Sequence, residues 1–139
     1  MKFITFLVTL SILFSTSCRP TPIPFSIKPA NQAHSSMVSS SSSYIFPDDI
    51  NIQNLSKKSG NISWTLKETL TNSSWTHEVV IDGKSLTNYE GSFDLKTEAK
   101  KTIEFYAKPN GSSTTNTYTL EFAIDNHVYI RHVFHLIVR

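Results

Sequence analysis

The 139-residue sequence predicts an all-β domain folded as an antiparallel β-sandwich of about seven strands. Short runs of alternating apolar and polar residues recur along the chain, and this period of two is typical of half-buried strands. Turn-forming residues separate the runs. The one polar segment that could form a helical turn, residues 98–101, is too short to stand alone as a helix.

The first strands are predicted at residues 44–46 and around Trp64. Pro47 follows the first of them, and proline belongs at the end or the edge of a strand because it lacks an amide donor. In the second strand Ile62, Trp64 and Leu66 alternate with polar residues. One face of this strand should therefore be buried, with Trp64 as an anchor of the core.

A hairpin is predicted around Asp82 and Gly83. These two residues separate the apolar run at residues 78–81 from a second short run at residues 84–86. Asp-Gly in such a place favours a type I′ turn, because both central residues of that turn need a positive φ.

Three more strands are predicted in the residues that follow. Phe93 and Leu95 mark a short strand, and residues 103–107 are apolar at every second position. A Pro-Asn-Gly-Ser cluster at residues 109–112 indicates a turn. Residues 118–124, apolar at their even-numbered positions, should form the longest regular strand.

The last run, residues 128–138, is apolar on both parities. The apolar residues are Ile130, Phe134, Leu136 and Val138 on one parity and Tyr129, Val133 and Ile137 on the other. Such a run predicts either a central strand or a strand with a bulge near Arg131 and His132.

A candidate partner-binding patch lies on this last strand and consists of Tyr129, Arg131, Val133 and His135. These residues share the parity opposite to that of Phe134. Aromatic, arginine and aliphatic side chains are favoured in the cores of protein interfaces. If this parity faces solvent, the patch is a binding surface; if both sides of the strand are covered, the same residues are ordinary core.

Short strands at near-regular spacing, without a convincing helix, are typical of an immunoglobulin-like sandwich. The Cys-Trp-Cys pattern of antibody domains is absent, since the chain has one cysteine. Residues 118–126 and the final strand ending at residues 136–138 resemble the closing strands of bacterial Ig-like and PKD-like domains.

The first residues predict export from the cytoplasm. Lys2 precedes an uncharged, mostly apolar run at residues 3–14, and small residues follow this run. A positive start, a short apolar segment and small residues are the marks of a signal peptide, here residues 1–17. The apolar run is too short to span a bilayer comfortably.

The small residues lead directly to Cys18, the only cysteine of the protein. Residues 15–17 and Cys18 resemble a bacterial lipobox, with Ser15 where the usual motif has leucine. The resemblance implies that Cys18 becomes the acylated N-terminus, and Arg19 after it favours the outer membrane, facing the periplasm. The alternative is an ordinary signal peptide with an incidental cysteine.

The domain boundaries follow from composition. Residues 18–43 begin with the predicted lipidated cysteine and are rich in proline and serine. Such a segment buries little apolar surface, so we expect a disordered tether there. The folded domain should then span residues 44–139.

The sequence contains no recognisable catalytic motif and no cofactor-binding motif, so an enzyme is not expected. His132 and His135 differ in parity and should point to opposite faces of a strand, so with His127 they do not predict a metal site. Asp48 and Asp49 form one acidic pair, which falls short of a calcium site. A formal net charge of +2 without a basic stripe makes nucleic acid an unexpected partner.

Trp75 lies beside a polar turn, and the sequence leaves two roles open for its side chain. It could stack against a sugar or a protein partner, or it could belong to the core or to a sheet edge. The first role would make carbohydrate binding the alternative function.

Several features follow one another along the chain: a signal ending in Thr16-Ser17-Cys18, a polar spacer, a strand near Lys67, an aromatic strand at Phe105 and Tyr106 with a serine-rich turn, a turn at Asp125 and Asn126, and a last strand at residues 133–136. This order resembles that of the TraQ family of conjugative transposon proteins, although the central region matches less well. The predicted function is a lipid-anchored, non-catalytic module that binds an envelope protein. The resemblance implies a place in a conjugative transfer apparatus.

Overall fold

The computed structural model describes residues 25–69, 74–111, 115–124 and 127–139. These residues form eleven strands: β1 (Phe25–Lys28), β2 (Gln32–Val38), β3 (Tyr44–Ile45), β4 (Ile50–Asn54), β5 (Gly60–Glu68), β6 (Thr76–Ile81), β7 (Lys84–Leu86), β8 (Glu90–Leu95), β9 (Lys100–Lys108), β10 (Asn116–Ile124) and β11 (His127–Val138). The sequence indicates only about seven because β1 and β2 lie in the segment predicted as a tether and β4, between the first two predicted strands, was not predicted.

The strands form two sheets. The first sheet has the order β1-β4-β9-β6-β7, with β3 also paired to β9, and the second sheet has the order β2-β11-β10-β5-β8. Every pair is antiparallel except β2 with β11, which is parallel. The predicted all-β, immunoglobulin-like antiparallel sandwich is confirmed.

The prediction that residues 18–43 form a disordered tether is wrong from Phe25 onward. β1 pairs with β4 at the edge of the first sheet, and the chain then passes through a cis Lys28–Pro29 peptide to pair as β2 with β11 in the second sheet. Backbone hydrogen bonds to β4 and β11, together with the burial of Phe25 and Val38, order this mostly polar segment. Residues 1–24, which include the predicted signal and Cys18, lie outside the described residues.

The core lies between the two sheets and follows the predicted parities. The fully buried side chains include Trp64 on β5, Phe105 on β9, and Tyr118 and Phe122 on β10. Phe105 stacks on Phe134 of β11, with ring centroids 4.4 Å apart and an interplanar angle of 20°. This aromatic contact joins the centres of the two sheets.

The predicted hairpin is confirmed, since Asp82 and Gly83 have φ values of 48° and 79° between β6 and β7. The carboxylate of Asp82 also receives a hydrogen bond from Lys101 Nζ at 2.7 Å on β9. That hydrogen bond, with the Thr102 amide, holds the pKa of the Asp82 carboxyl below its usual range.

β11 is a central strand with a bulge. Phe122 lies opposite Ile130 but Ala123 lies opposite Val128, so Tyr129 is the extra residue. The bulge is thus two residues nearer the start of β11 than predicted. β11, with twelve residues, also exceeds the nine of β10, so the expectation that residues 118–124 form the longest strand is wrong.

Candidate functional site

The predicted partner-binding patch lies largely on the outward face of the second sheet. Arg131 and His135 are exposed and Val133 is half-buried, whereas His132 and Phe134 between them are fully buried. β11 therefore has one core face and one outward face. Tyr129 differs from the other patch residues because it lies in the bulge and packs against the core.

A groove of about 530 Å³ opens beside this patch. Its lining residues are Asn31, Gln32, Ala33, Val128, Tyr129, Ile130, Arg131 and Val133. The groove exists because β2 begins at Gln32, opposite His132. The first residues of β11, from His127 to Arg131, therefore have no β2 residue paired beside them. Asn31 closes the end of β2, where its Oδ1 accepts a hydrogen bond from the Arg131 amide at 2.6 Å.

Ion pairs hold the guanidinium of Arg131 at the rim of the groove. Arg131 donates from Nε and NH2 to Oε1 of Glu121 on β10, both at 2.7 Å, and Lys67 Nζ on β5 donates to Oε2 at 2.7 Å. The side chain of Glu121 is only 5% exposed. The hydrogen bond from Lys67, helped by that from Arg131, holds the pKa of the Glu121 carboxyl below its usual range.

β2 is an edge strand without a charged residue. Ala33, Ser35 and Met37 are exposed, Met37 to 61%. The Val38 carbonyl accepts a hydrogen bond from the Arg139 amide at 3.0 Å. The even-numbered residues of β2 therefore direct their backbone N–H and C=O groups toward β11. The backbone N–H and C=O groups of Ala33, Ser35 and Met37 therefore point to the open edge.

The other three sheet edges carry the features by which proteins block strand addition. β8, the opposite edge of the second sheet, contains Glu90 and Asp94. In the first sheet β1 ends in Lys28 followed by Pro29, and β7 has only three residues. The nearest guanidinium to β2 is at its end, where Arg139 Nε donates to Met37 Sδ at 3.0 Å.

His132 and His34 lie beneath the β2–β11 pair. His132 contacts Phe46, and His34 stacks on Phe134 with centroids 5.7 Å apart. Burial lowers the pKa of His132 to about 4, and His34 adds to this effect. The Pro29 carbonyl weakly favours the protonated ring, but neither ring nitrogen has a hydrogen-bond partner of normal geometry among the described residues.

The histidines of β11 point to opposite faces, as their spacing predicts, with His132 buried and His135 exposed. His135 Nδ1 is 2.8 Å from the Thr117 hydroxyl of β10. Among residues 25–69, 74–111, 115–124 and 127–139, no three His, Cys, Asp or Glu side chains come close enough to hold a metal ion.

Trp75 is not available as a binding platform. Its side chain is 5% exposed and makes a T-shaped contact with Tyr118, with centroids 6.4 Å apart. The partner-binding prediction for Trp75 is wrong because a strand distant in sequence covers the ring. The carbohydrate alternative loses the residue on which it depended.

The exposed residues of β2 were not predicted as a binding site, because they lie in the segment that the sequence predicts as a tether. One signal was present, since Phe25 and Ile27 alternate with Ser26 and Lys28 as in a half-buried strand. β2 itself offers no such pattern, because serine and histidine occupy its inward positions.

No protein family matches the sequence, and no curated protein does. Solved structures do match the fold. The N-terminal domain of PorA superposes with a TM-score of 0.56 at 10% identity, over 79% of this chain and 89% of that chain. PapD-like domain 7 of human CEP192 superposes with a TM-score of 0.43 at 12% identity, and the match covers 96% of each chain. The fimbrial chaperone CfaA superposes with a TM-score of 0.41 at 14% identity, over 83% of this chain and 55% of that chain. At 10% identity the PorA likeness establishes a shared sandwich fold and no more.

None of the described residues belongs to a helix long and apolar enough to span a membrane.

Proposed function

We propose that this protein is a non-catalytic module of a bacterial cell envelope, anchored through acylated Cys18, that binds an extended segment of a partner protein along β2. The observation that carries the proposal is the uncharged, exposed edge formed by Ala33, Ser35 and Met37. A strand added to such an edge gains main-chain hydrogen bonds, and pockets for its alternate side chains give specificity.

The groove beside β2 would supply such a pocket. A strand running along β2 toward its beginning reaches the groove between Asn31 and Arg131. Val128 and Val133 offer apolar surface there, and Arg131, fixed by Glu121, can bind a carboxylate or carbonyl of the partner. The arrangement combines the aliphatic and arginine side chains that interface cores favour.

The edge can be tested with Ser35→Lys. A lysine on an edge strand opposes strand addition, and Ser35 points its backbone away from β11, so the fold should persist. We expect the variant to lose its co-purifying envelope partner while its thermal midpoint stays unchanged. Ser92→Lys is the matched control, because Ser92 is an exposed serine on β8, the opposite edge of the same sheet. Equal loss of the partner in both variants would count against β2.

The anchor rests on the solitary Cys18 behind small residues and on its likeness to a lipobox. Two or three acyl chains give stable anchoring where a single chain does not. Mass spectrometry of the membrane fraction should find an acylated Cys18 as the N-terminus. An unmodified N-terminus at or after Arg19 would refute the anchor and leave the strand-addition site standing.

The assembly we propose for the partner is a conjugative transfer apparatus, on the strength of the feature order that resembles the TraQ family. Donor cells carrying Ser35→Lys should then transfer less DNA than cells carrying Ser92→Lys. Equal transfer, with partner binding lost in the first variant, would place the module in another envelope assembly.

A further inference from the structure

Two loops lie together at the end of the domain where the described chain begins. Phe25 pairs with Asn54 at the end of β4, and Gly60 at the start of β5 pairs with Leu95 at the end of β8. The β4–β5 loop, residues 55–59, and the β8–β9 loop, residues 96–99, are therefore neighbours of Phe25. We name this region the anchor-proximal end.

The anchor-proximal end is basic. Lys57, Lys58, Lys96 and Lys100 are exposed there, and Glu98 is the single acidic residue of the two loops. Of the neighbouring carboxylates, Asp82 is paired with Lys101, and Asp94 accepts a hydrogen bond from the neutral amide of Asn61 and keeps its charge. The four exposed lysines therefore outnumber the unpaired carboxylates of Glu98 and Asp94. At the other end of the sandwich, the described connecting residues 39–43, 69, 74–75, 109–111 and 115 carry no charge, and the exposed charges at the strand ends include Lys108 and Arg139.

Asn54 holds the two loops in a fixed arrangement. It is fully buried, and its Nδ2 donates to the carbonyl oxygens of Lys58 and Leu95, both at 2.9 Å. Its Oδ1 accepts from the Ser56 amide at 2.8 Å, and Ser56 Oγ donates to the Lys58 carbonyl at 2.6 Å. This network leaves Leu55 60% exposed beside the lysines.

The distance to Cys18 is short. Phe25 follows it by seven residues, and a chain of that length spans at most roughly 25 Å when fully extended. If Cys18 is acylated, as we propose above, the anchor-proximal end is within reach of the lipid headgroups. The predicted tether of about 25 residues would not have held the domain this close to the lipid headgroups.

We infer that the anchor-proximal end docks on an anionic lipid surface, with Leu55 entering the headgroup boundary and the lysines binding lipid phosphates. Exposed lysines near a membrane are attracted to anionic headgroups, and an apolar side chain beside them adds buried area. Docking would fix the orientation of the domain, so that the opposite end points away from the bilayer and the β2 edge runs outward from it.

The test uses the full-length protein purified from membranes and reconstituted into vesicles. Leu55→Cys carries an environment-sensitive dye, and Ser40→Cys at the opposite end of the domain carries the same dye as a control. We expect a blue-shifted emission for the dye at position 55 in vesicles with phosphatidylglycerol, a weaker one in pure phosphatidylcholine, and no shift at position 40. Adding Lys57→Gln and Lys58→Gln, or raising the salt concentration, should remove the difference between the two lipids.

Emission at position 55 that does not depend on phosphatidylglycerol, or equal shifts at positions 55 and 40, would overturn the inference. Flotation with phosphatidylcholine vesicles reports the acyl anchor alone. A protein that fails to float with them fails the proposed anchoring, and its dye response to phosphatidylglycerol vesicles still decides the docking.

Discussion

The ring of Phe25 lies over Gly60 so closely that a side chain at position 60 would overlap it. Phe25 belongs to the first sheet and Gly60 to the second, so this contact closes one corner of the sandwich. Phe25 is only 8% exposed, so its ring belongs to the core. The contact determines where the segment leading from Cys18 enters the domain.

Gly60→Ala should therefore destabilise the domain by roughly 1–3 kcal/mol, the usual cost of overpacking a well-filled site. The urea midpoint measures the loss. Because the added methyl group would displace Phe25, β1 should also become more sensitive to limited proteolysis. Phe25→Leu supplies the control: in its presence the additional effect of Gly60→Ala should shrink. If the destabilisations by Phe25→Leu and Gly60→Ala simply add, the packing of the Phe25 ring does not depend on the glycine at position 60.

Trp64→Ala should cost about 3–5 kcal/mol, as for other large buried aromatic residues. Trp64 lies opposite Gly91 on β8, and a Cβ at position 91 would be 2.8 Å from Trp64 Nε1. Gly91→Ala should consequently destabilise the domain through the same ring. Thermal unfolding measures both variants, with Ser63→Ala on the outward face of β5 as the control. A thermal midpoint of Trp64→Ala equal to that of the control would contradict the burial of the indole.

The elements that the sequence predicts well are those whose own side chains carry the signal. Ile62, Trp64 and Leu66 alternate because one face of β5 is buried, and Asp82-Gly83 forms its turn through local backbone preference. Neither feature needs knowledge of the rest of the chain.

The elements that the sequence hides are those that depend on a distant strand. β2 is ordered by its pairing with β11, about a hundred residues away, and nothing in its serines indicates that partner. Trp75 is buried because Tyr118 packs against it. The outward face of β11 could be predicted as a candidate site, but the edge of β2 beside it could not.

Acid should destabilise the domain through His132. An unfolded histidine has a pKa near 6.5, whereas burial lowers that of His132 to about 4. Between these values the unfolded chain binds a proton that the folded chain does not, so stability is full above pH 6.5 and falls until about pH 4. Since each pKa unit corresponds to about 1.4 kcal/mol, the loss should be on the order of 3 kcal/mol.

Urea unfolding at a series of pH values measures this slope. His132→Leu keeps a side chain of similar volume among the aromatic rings and should flatten the slope between pH 6.5 and 4. His135→Asn changes an exposed histidine of the same strand and should leave the slope in place. An unchanged slope in His132→Leu would mean that another group binds the proton.

Glu121→Gln should destabilise the domain by roughly 1–3 kcal/mol, because Lys67 and Arg131 bind different oxygens of the carboxylate and a glutamine offers only one oxygen. One of these cations would then face the amide N–H group of the new side chain. Glu90→Gln on β8, which changes an exposed carboxylate of the same sheet, is the matched control and should have little effect.

The pH dependence of this difference gives a second check. The pKa of the Glu121 carboxyl is lowered in the folded chain, so its contribution is present above the ordinary value of 4.5 and is lost as the pH falls through the folded value. Wild type and Glu121→Gln should therefore converge in strong acid and differ most near neutral pH. If Glu121→Gln matches Glu90→Gln at neutral pH, the two ion pairs do not stabilise the sheet, and Arg131 is not held at the groove by Glu121.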